Sequence, residues 1–191
     1  MQPLKTVRRE RVLDMGKFLK VERHTVELPD GRRLENWPWI DAPDFVNVIP
    51  VTPAGRILCF RQVKYAIDGV TLAPVGGYLE PGEDARAGAE RELLEESGCR
   101  AADWIELGTY RIDSNRGAGF AHFYLATGAV RVAEPESDDV EEQCLVELTV
   151  PQTEAALRRG EFRALPWVAV IALALDRLRL GAAGRDGAQR P

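Results

Sequence analysis

Residues 76–99 read GGYLEPGEDARAGAERELLEESGC. They carry seven carboxylates (Glu80, Glu83, Asp84, Glu90, Glu92, Glu95, Glu96) against two arginines, Arg86 and Arg91. Like charges three or four residues apart on a helix repel, so this density of acid calls for a use. Glu92, Glu95 and Glu96 are spaced i, i+3, i+4 and share one helix face. Ala85, Gly88 and Ala89 precede them on that face and let another backbone come close; the Gly76-Gly77 turn is the candidate. Three carboxylates beside a tight glycine turn form a site for a hard divalent cation. Oxygen donors with few His or Cys suit Mg²⁺ or Mn²⁺, and protein-bound Mg²⁺ usually works on phosphates. The competing reading is a solvated acidic helix face, with Arg86 and Arg91 in casual ion pairs.

The elements that must position these groups are legible around them. Pro81-Gly82 makes a turn and Asp84 is an N-cap for a helix over 85–97. Leu93 and Leu94 anchor that helix in a core. Upstream, FVNVIPVTP (45–53) and RILCFRQVKY (56–65) read as strands, and VTLAPVGGYLE runs from a strand into the glycine pair. Downstream, 104–112, 119–129 and 145–150 read as strands, with an acidic loop over 133–143. Helices are expected over 153–160 and 166–181, the second buried and bounded by Pro166 and Gly181. Residues 1–44 alternate in the strand manner around a PDG turn (29–31). They hold too little apolar material for a core of their own, so they pack on the main domain or on a second subunit. The organisation expected is an N-terminal β segment (1–44), a main domain (45–181) and a disordered tail (182–191). Strands and helices mix without strict alternation, which favours an α+β class.

Composition narrows the function. A chain of 191 residues suits one domain with a small appendage. A net charge of -5 argues against nucleic acid as a partner, because phosphate backbones demand clustered Lys and Arg. Cys59, Cys99 and Cys144 are far apart and odd in number, so neither a disulfide framework nor a zinc site is expected and a cytoplasmic location fits. His24 and His122 are the only histidines, too few for a His-based metal or nucleophile system. His122 lies in an apolar run and reads as a packing residue. The longest apolar run, 165–175, is well short of the ~20 residues that span a bilayer. No membrane association is expected.

The full spacing says more. Gly77 is followed after five residues by Glu83, then after seven by Arg91-Glu92-Leu93, then by Glu95-Glu96, Gly98 and Cys99. This resembles the signature of the Nudix hydrolases, G-x5-E-x7-R-E-U-x-E-E-x-G-U with U a bulky apolar residue. Every fixed letter is present, and Cys99 takes the last apolar position as a small hydrophobe. ERVLDMGKFLKVERHTVELPDGRRLE (10–35), GRILCFRQVKYAI (55–67) with its Arg-Gln-x-x-Tyr, and the acidic loop followed by LVELTVPQTEAALRRGEF and a C-terminal helix are similar to the ADP-ribose and nucleotide-sugar pyrophosphatase branch, a likeness that covers roughly residues 9–180. The resemblance implies a Nudix-type α/β/α sandwich with a mixed sheet, plus the short N-terminal β segment. It also implies a homodimer in which the N-terminal strands reach toward the partner.

The activity implied is metal-dependent hydrolysis of the diphosphate linkage in ADP-ribose or a nucleotide sugar, to a nucleoside monophosphate and a sugar phosphate. Alternatives are another Nudix substrate, of dinucleoside polyphosphate or coenzyme A type, or a non-catalytic nucleotide-sugar sensor. Carried onto this chain, Glu92, Glu95 and Glu96 are metal ligands, the Gly76 carbonyl a further one and Glu83 an outer contributor. Glu95 and Glu96 belong to the catalytic set, with Arg91 orienting the glutamates by ion pairing. A carboxylate removes a proton from water, and in this branch it often comes from a later acidic loop. Here that loop holds Glu134, Glu136, Asp138, Asp139, Glu141 and Glu142, of which Glu136 and Asp138 are the candidates. Arg61, on the resemblance, and Arg116, in the glycine-bearing loop DSNRGAG, are candidates for the diphosphate. Trp37, Trp39 or Phe45 is a candidate to stack on a base. Two departures bear on the substrate: Ala73 stands where the branch has Glu, and no proline lies between Pro81 and Pro135. ADP-ribose is thus one candidate among ADP- and GDP-sugars.

Overall fold

The computed structural model describes residues 2–136 and 142–187, the last six of these as backbone alone. The elements run β1 (Lys5–Asp14), β2 (Lys20–Glu27), β3 (Arg33–Asp41), β4 (Phe45–Val51), β5 (Ile57–Lys64), β6 (Ile67–Ala73), α1 (Ala85–Ser97), β7 (Cys99–Arg100), β8 (Asp103–Asp113), β9 (Gly117–Thr127), β10 (Val130–Arg131), β11 (Gln143–Leu148), α2 (Val150–Arg158) and α3 (Leu165–Gly187). They divide into two compact units. One holds residues up to 45 together with 109–121; the other holds 46–108 and 122 onward.

In the first unit β1, β2 and β3 form an antiparallel meander. The PDG turn closes β2 onto β3, with the Leu28 N–H donating to the Arg32 carbonyl and Gly31 at φ 84°. Residues 29–31 therefore do what turn chemistry predicts. The chain returns to this unit with the tip of the β8–β9 hairpin, and β3 pairs with β9 in parallel at Ile40 and Gly117. Residues 109–121 are thus grouped with the N-terminal strands. β1 is exposed along its whole length.

The second unit is the α/β/α sandwich. Val46 and Val48 of β4, Leu58 and Phe60 of β5 and Tyr124 and Ala126 of β9 share one buried cluster with Ala89 and Leu93 of α1. Period-two alternation sends Ile49, Ile57, Cys59, Phe123 and Leu125 to the opposite face, where they are also buried. Ala156 of α2 and Val170, Ile171, Ala174 and Leu175 of α3 supply the buried apolar groups of that layer. Burial on both sides explains why these strands read as apolar runs.

Helix α1 forms where its caps dictate. Asp84 accepts the N–H groups of Arg86 and Ala87, both at 3.0 Å, and Gly98 ends the helix at φ 68° with its N–H on the Leu94 carbonyl. Helix α2 starts at Val150 instead of 153, because Thr149 and Gln152 form a capping box and Pro151 sits in the first turn, where a missing N–H costs nothing. The expected end of the last helix at 181 is corrected. α3 continues to Gly187. Ala182 and Ala183 are strong helix formers and no proline intervenes. Residues 188–191 lie outside the described residues. No helix among the described residues is long and apolar enough to cross a membrane.

Candidate functional site

The site is built on a strand pair and a helix. The Val46 N–H donates to the Gly77 carbonyl at 2.9 Å and the Val48 N–H to the Val75 carbonyl at 2.8 Å. Residues 75–77 thus run antiparallel to 46–48, with Asn47 opposite Gly76. A Cβ on Gly76, at φ 154°, would enter the Val46 carbonyl oxygen and lie 2.7 Å from Asn47 Nδ2. A Cβ on Gly77 would lie within 2.6 Å of all three carboxyl atoms of Glu92. Gly76 is therefore required by the close approach of backbone, while at Gly77 the space is taken by the Glu92 carboxyl. At Gly88 the neighbour is the Leu79 side chain, with Glu83 Oε2 at 3.1 Å from a Cβ built there. The small residue on α1 thus makes room for a side chain of the turn segment, not for the Gly76-Gly77 backbone.

Arg91 holds the carboxylates. Its Nε meets Glu83 Oε1 at 2.8 Å and its Nη2 meets Glu83 Oε2 at 2.9 Å, a two-pronged pair. Nη1 donates to Glu92 at 2.8 Å and to Glu95 at 2.9 Å. Glu83 also accepts the Glu80 N–H, so both of its oxygens are committed. The Arg91 hydrogen bond holds the Glu83 carboxyl below the usual carboxylate range. Burial pushes Glu92 above that range, against the lowering effect of Arg91. Its carboxylates in turn push the Arg91 guanidinium up. Glu96 is turned to the strand pair and accepts the Gly76 N–H at 2.8 Å.

Among the described residues no three acidic, His or Cys side chains converge on one point as they would around an ion. Arg91 lies between Glu83, Glu92 and Glu95 instead. The donor set nevertheless fits a hard cation. Glu92 is largely buried with its charge disfavoured by burial, a condition that added positive charge relieves. The glycine at 77 leaves the space into which its carboxylate fits. Glu92, Glu95, Glu96 and the Gly76 carbonyl are the groups that would hold the ion.

A model of the NUDIX domain matches residues 42–183. The chain belongs to the Nudix family. The box carried by Gly77, α1 and Gly98, with the sandwich around it, is that of a Nudix pyrophosphohydrolase. Curated relatives include the methanol dehydrogenase activator of Bacillus methanolicus, 30% identical over 155 residues, covering 78% of this chain and 80% of that protein. The ADP-ribose pyrophosphatase of Bacillus subtilis is 28% identical over 159 residues, 83% of this chain and 84% of that one. The CMP-5'-(N-acetyl-N-hydroxy-3-aminopropyl)phosphonate hydrolase of Streptomyces rubellomurinus is 32% identical over 128 residues, 67% of this chain and 62% of that one. A solved structure described as an ADP compounds hydrolase superposes with a TM-score of 0.78 at 21% identity, over 97% of this chain and 98% of that one. It shares the fold.

The remaining residues singled out in this Nudix chain separate into groups. Glu136 is brought to the box, its N–H donating to the Glu95 carbonyl at 2.8 Å. Glu134 is paired with Arg131 at 2.6 Å. Asp138 lies outside the described residues, as do Asp139 and Glu141. Arg61 is not brought to the carboxylates. By alternation it shares the β5 face of Cys59, opposite α1, and it lines a cavity with residues of α2. Trp37, Trp39 and Arg116 belong to the first unit. The Trp37 indole N–H donates to the Asn115 carbonyl at 2.7 Å. At Trp39, His24 is stacked on one face of the ring, centroids 5.1 Å apart, and the Gly117 backbone abuts its benzene edge. Asp113 accepts the N–H groups of Asn115 and Arg116 at 2.8 and 2.9 Å, and these bonds hold its carboxyl below the usual range. The Arg116 guanidinium is mostly exposed, 3.6 Å from Asp113.

Asn47 was missed by sequence reasoning. It is buried, opposite Gly76, and its Oδ1 accepts no hydrogen bond within the described structure. The signal was present: a single amide in the otherwise apolar strand FVNVIPV.

Proposed function

We propose that this enzyme is a divalent-metal-dependent hydrolase of the diphosphate linkage in a nucleoside diphosphate derivative, ADP-ribose or a nucleotide sugar, releasing a nucleoside monophosphate and a sugar phosphate. The observation that carries the proposal is the carboxylate cluster bridged by Arg91 and packed on the Gly76-Gly77 turn. The names of the Bacillus subtilis and Streptomyces relatives support a nucleotide-linked substrate.

Glu92, Glu95, Glu96 and the Gly76 carbonyl would hold the Mg²⁺ or Mn²⁺ ion. When bound, such an ion supplies positive charge and Lewis acidity against a diphosphate. Glu83 acts through Arg91, which keeps Glu92 and Glu95 in register. Glu136, tied by its backbone to Glu95, is the candidate base on the described side of the acidic loop. Arg116, weakly paired, retains donors for phosphate oxygens. The proposal includes a homodimer, supported by β1: an exposed strand at the end of the strand order, with Val12 and Leu13 open, is a surface that proteins normally cover. It also includes a cytoplasmic location, supported by three free cysteines, and no nucleic-acid partner, supported by the net charge of -5.

The test is hydrolysis of ADP-ribose and of ADP-, UDP-, GDP- and CMP-linked compounds with Mg²⁺ or Mn²⁺, with products identified. Release of a nucleoside monophosphate from a member of the panel is expected. No turnover across the panel with either metal sinks the proposal.

A further inference from the structure

Arg61 leaves a question that the carboxylate site does not answer. It sits mid-strand in β5, paired with Cys144 of β11 on one side and Leu72 of β6 on the other. Its position is therefore fixed by two ladders. Yet it makes no ion pair with any described residue, and its face of the sheet is the one remote from α1. What it does line is a cavity of about 190 Å³ between β5, β6, β11 and α2.

The polar groups of that cavity are biased toward donors. Gln152 also lines it, and its Oε1 is committed to the capping box, accepting the Thr149 N–H at 2.8 Å and the Thr149 hydroxyl at 3.0 Å. The amide that remains is a donor. Arg159 and Glu161 line the cavity as a pair, with Nε and Nη2 both 2.7 Å from Glu161 Oε1. Within this cavity the one carboxylate is thus neutralised, and the Arg61 guanidinium, which also lines a neighbouring cavity with Glu142, is the charge left over. Leu72, Leu148, Ala155 and Ala156 form the apolar wall.

We propose that this cavity is a second ligand site, separate from the hydrolytic one, which binds a small phosphoryl oxyanion through Arg61, the Gln152 amide and Arg159. Guanidinium groups match phosphate oxygens in two-pronged geometry. The volume lies below the roughly 300 Å³ at which pockets for drug-sized ligands begin. The ligand is accordingly inorganic phosphate or the phosphate end of a monophosphate ester, with the rest of an ester lying outside the cavity. This inference does not depend on which diphosphate the enzyme cleaves.

The experiment is calorimetric titration of the full chain, free of divalent metal and at constant ionic strength, with inorganic phosphate and separately with ribose 5-phosphate. Saturable phosphate binding is expected in the native protein. Arg61→Gln should weaken it roughly tenfold or more, as loss of a charged hydrogen-bond partner does, and Glu92→Gln should leave it unchanged. Thermal melts without ligand check that each variant is folded. Should Arg61→Gln fail to fold, Arg61→Lys keeps the charge without the fork and should bind several-fold more weakly. Binding of ribose 5-phosphate that is equally sensitive to Arg61 assigns the site to esters as well; phosphate binding alone assigns it to the inorganic ion. The proposal is overturned if the native protein shows no saturable binding of either probe, if the Arg61 variants bind like the native chain, or if Glu92→Gln removes the binding.

Discussion

Replacing each glycine of the 76–77 pair by alanine separates two physical effects that adjoin in sequence. At Gly77 the added methyl meets only the carboxyl of Glu92, the far end of a flexible side chain. The backbone need not move, and Gly77 is not among the glycines at positive φ. Glu92 must swing away, which breaks its 2.8 Å bond to Arg91. That bond is charge-assisted, but Arg91 is 28% exposed, so the loss is discounted to about 1 kcal/mol, or roughly 2–4 °C in Tm for a chain of this size. At Gly76 the methyl meets the Val46 carbonyl, which two strands hold in place, and the φ of 154° is unfavourable for alanine. Overpacking and backbone strain together cost about 3–5 kcal/mol, or roughly 6–20 °C. Gly77→Ala should therefore stay folded and lose metal-activated hydrolysis, with apparent metal affinity down roughly 10–100-fold, the range found when groups that orient ligands are lost. Gly76→Ala should melt early. The assays are thermal denaturation and activity as a function of Mg²⁺ or Mn²⁺ concentration. An unshifted metal-activation curve in folded Gly77→Ala would refute the placement of Glu92 in the metal site. An unchanged Tm in Gly76→Ala would refute the backbone-contact argument.

Arg91→Gln should destabilise the protein in a pH-dependent way. In the native chain Arg91 lowers the Glu83 pKa below the ordinary 4.5, so this contribution is complete above that value and is lost as pH falls through the folded pKa. Burial raises the Glu92 pKa and Arg91 restrains the rise, so removing Arg91 also adds a cost as pH increases. Both effects have the same sign: the Tm gap between native and variant widens above about pH 4.5 and narrows below it, and a gap constant from pH 3.5 to 7 contradicts the clamp. The thiols should also sort by burial: Cys59 is buried and its thiol pushed up to about 12, Cys99 is buried and Cys144 is exposed. Titration with a disulfide reagent at pH 8 should modify Cys144 quickly and the others only after denaturation; rapid modification of all three in the native protein contradicts the packing.

The sequence by itself determined the local parts of this protein. Asp84 is read from capping chemistry, and the PDG turn from turn chemistry, because each depends on a few adjacent residues. The spacing from Gly77 to Gly98 identified the family and the carboxylate face of α1 for the same reason: helical periodicity turns positions into faces. Tertiary structure decided what lies across from those faces. That Gly88 meets Leu79, that Gly77 meets the Glu92 carboxylate and that Glu83 is taken up by Arg91 depend on how the turn folds back over the helix. The resemblance makes Arg61 a candidate for the diphosphate, while the alternation and pairing of β5 put it on the face of α2. The ring of Trp39 looks available in the sequence and has His24, fifteen residues earlier, stacked on one face, because β2 and β3 pair. Likewise no local signal shows that residues 109–121 complete the unit begun by residues 1–45. Strand pairing over long separations is set by which apolar faces can be buried together, a property of the whole chain that no window of sequence contains.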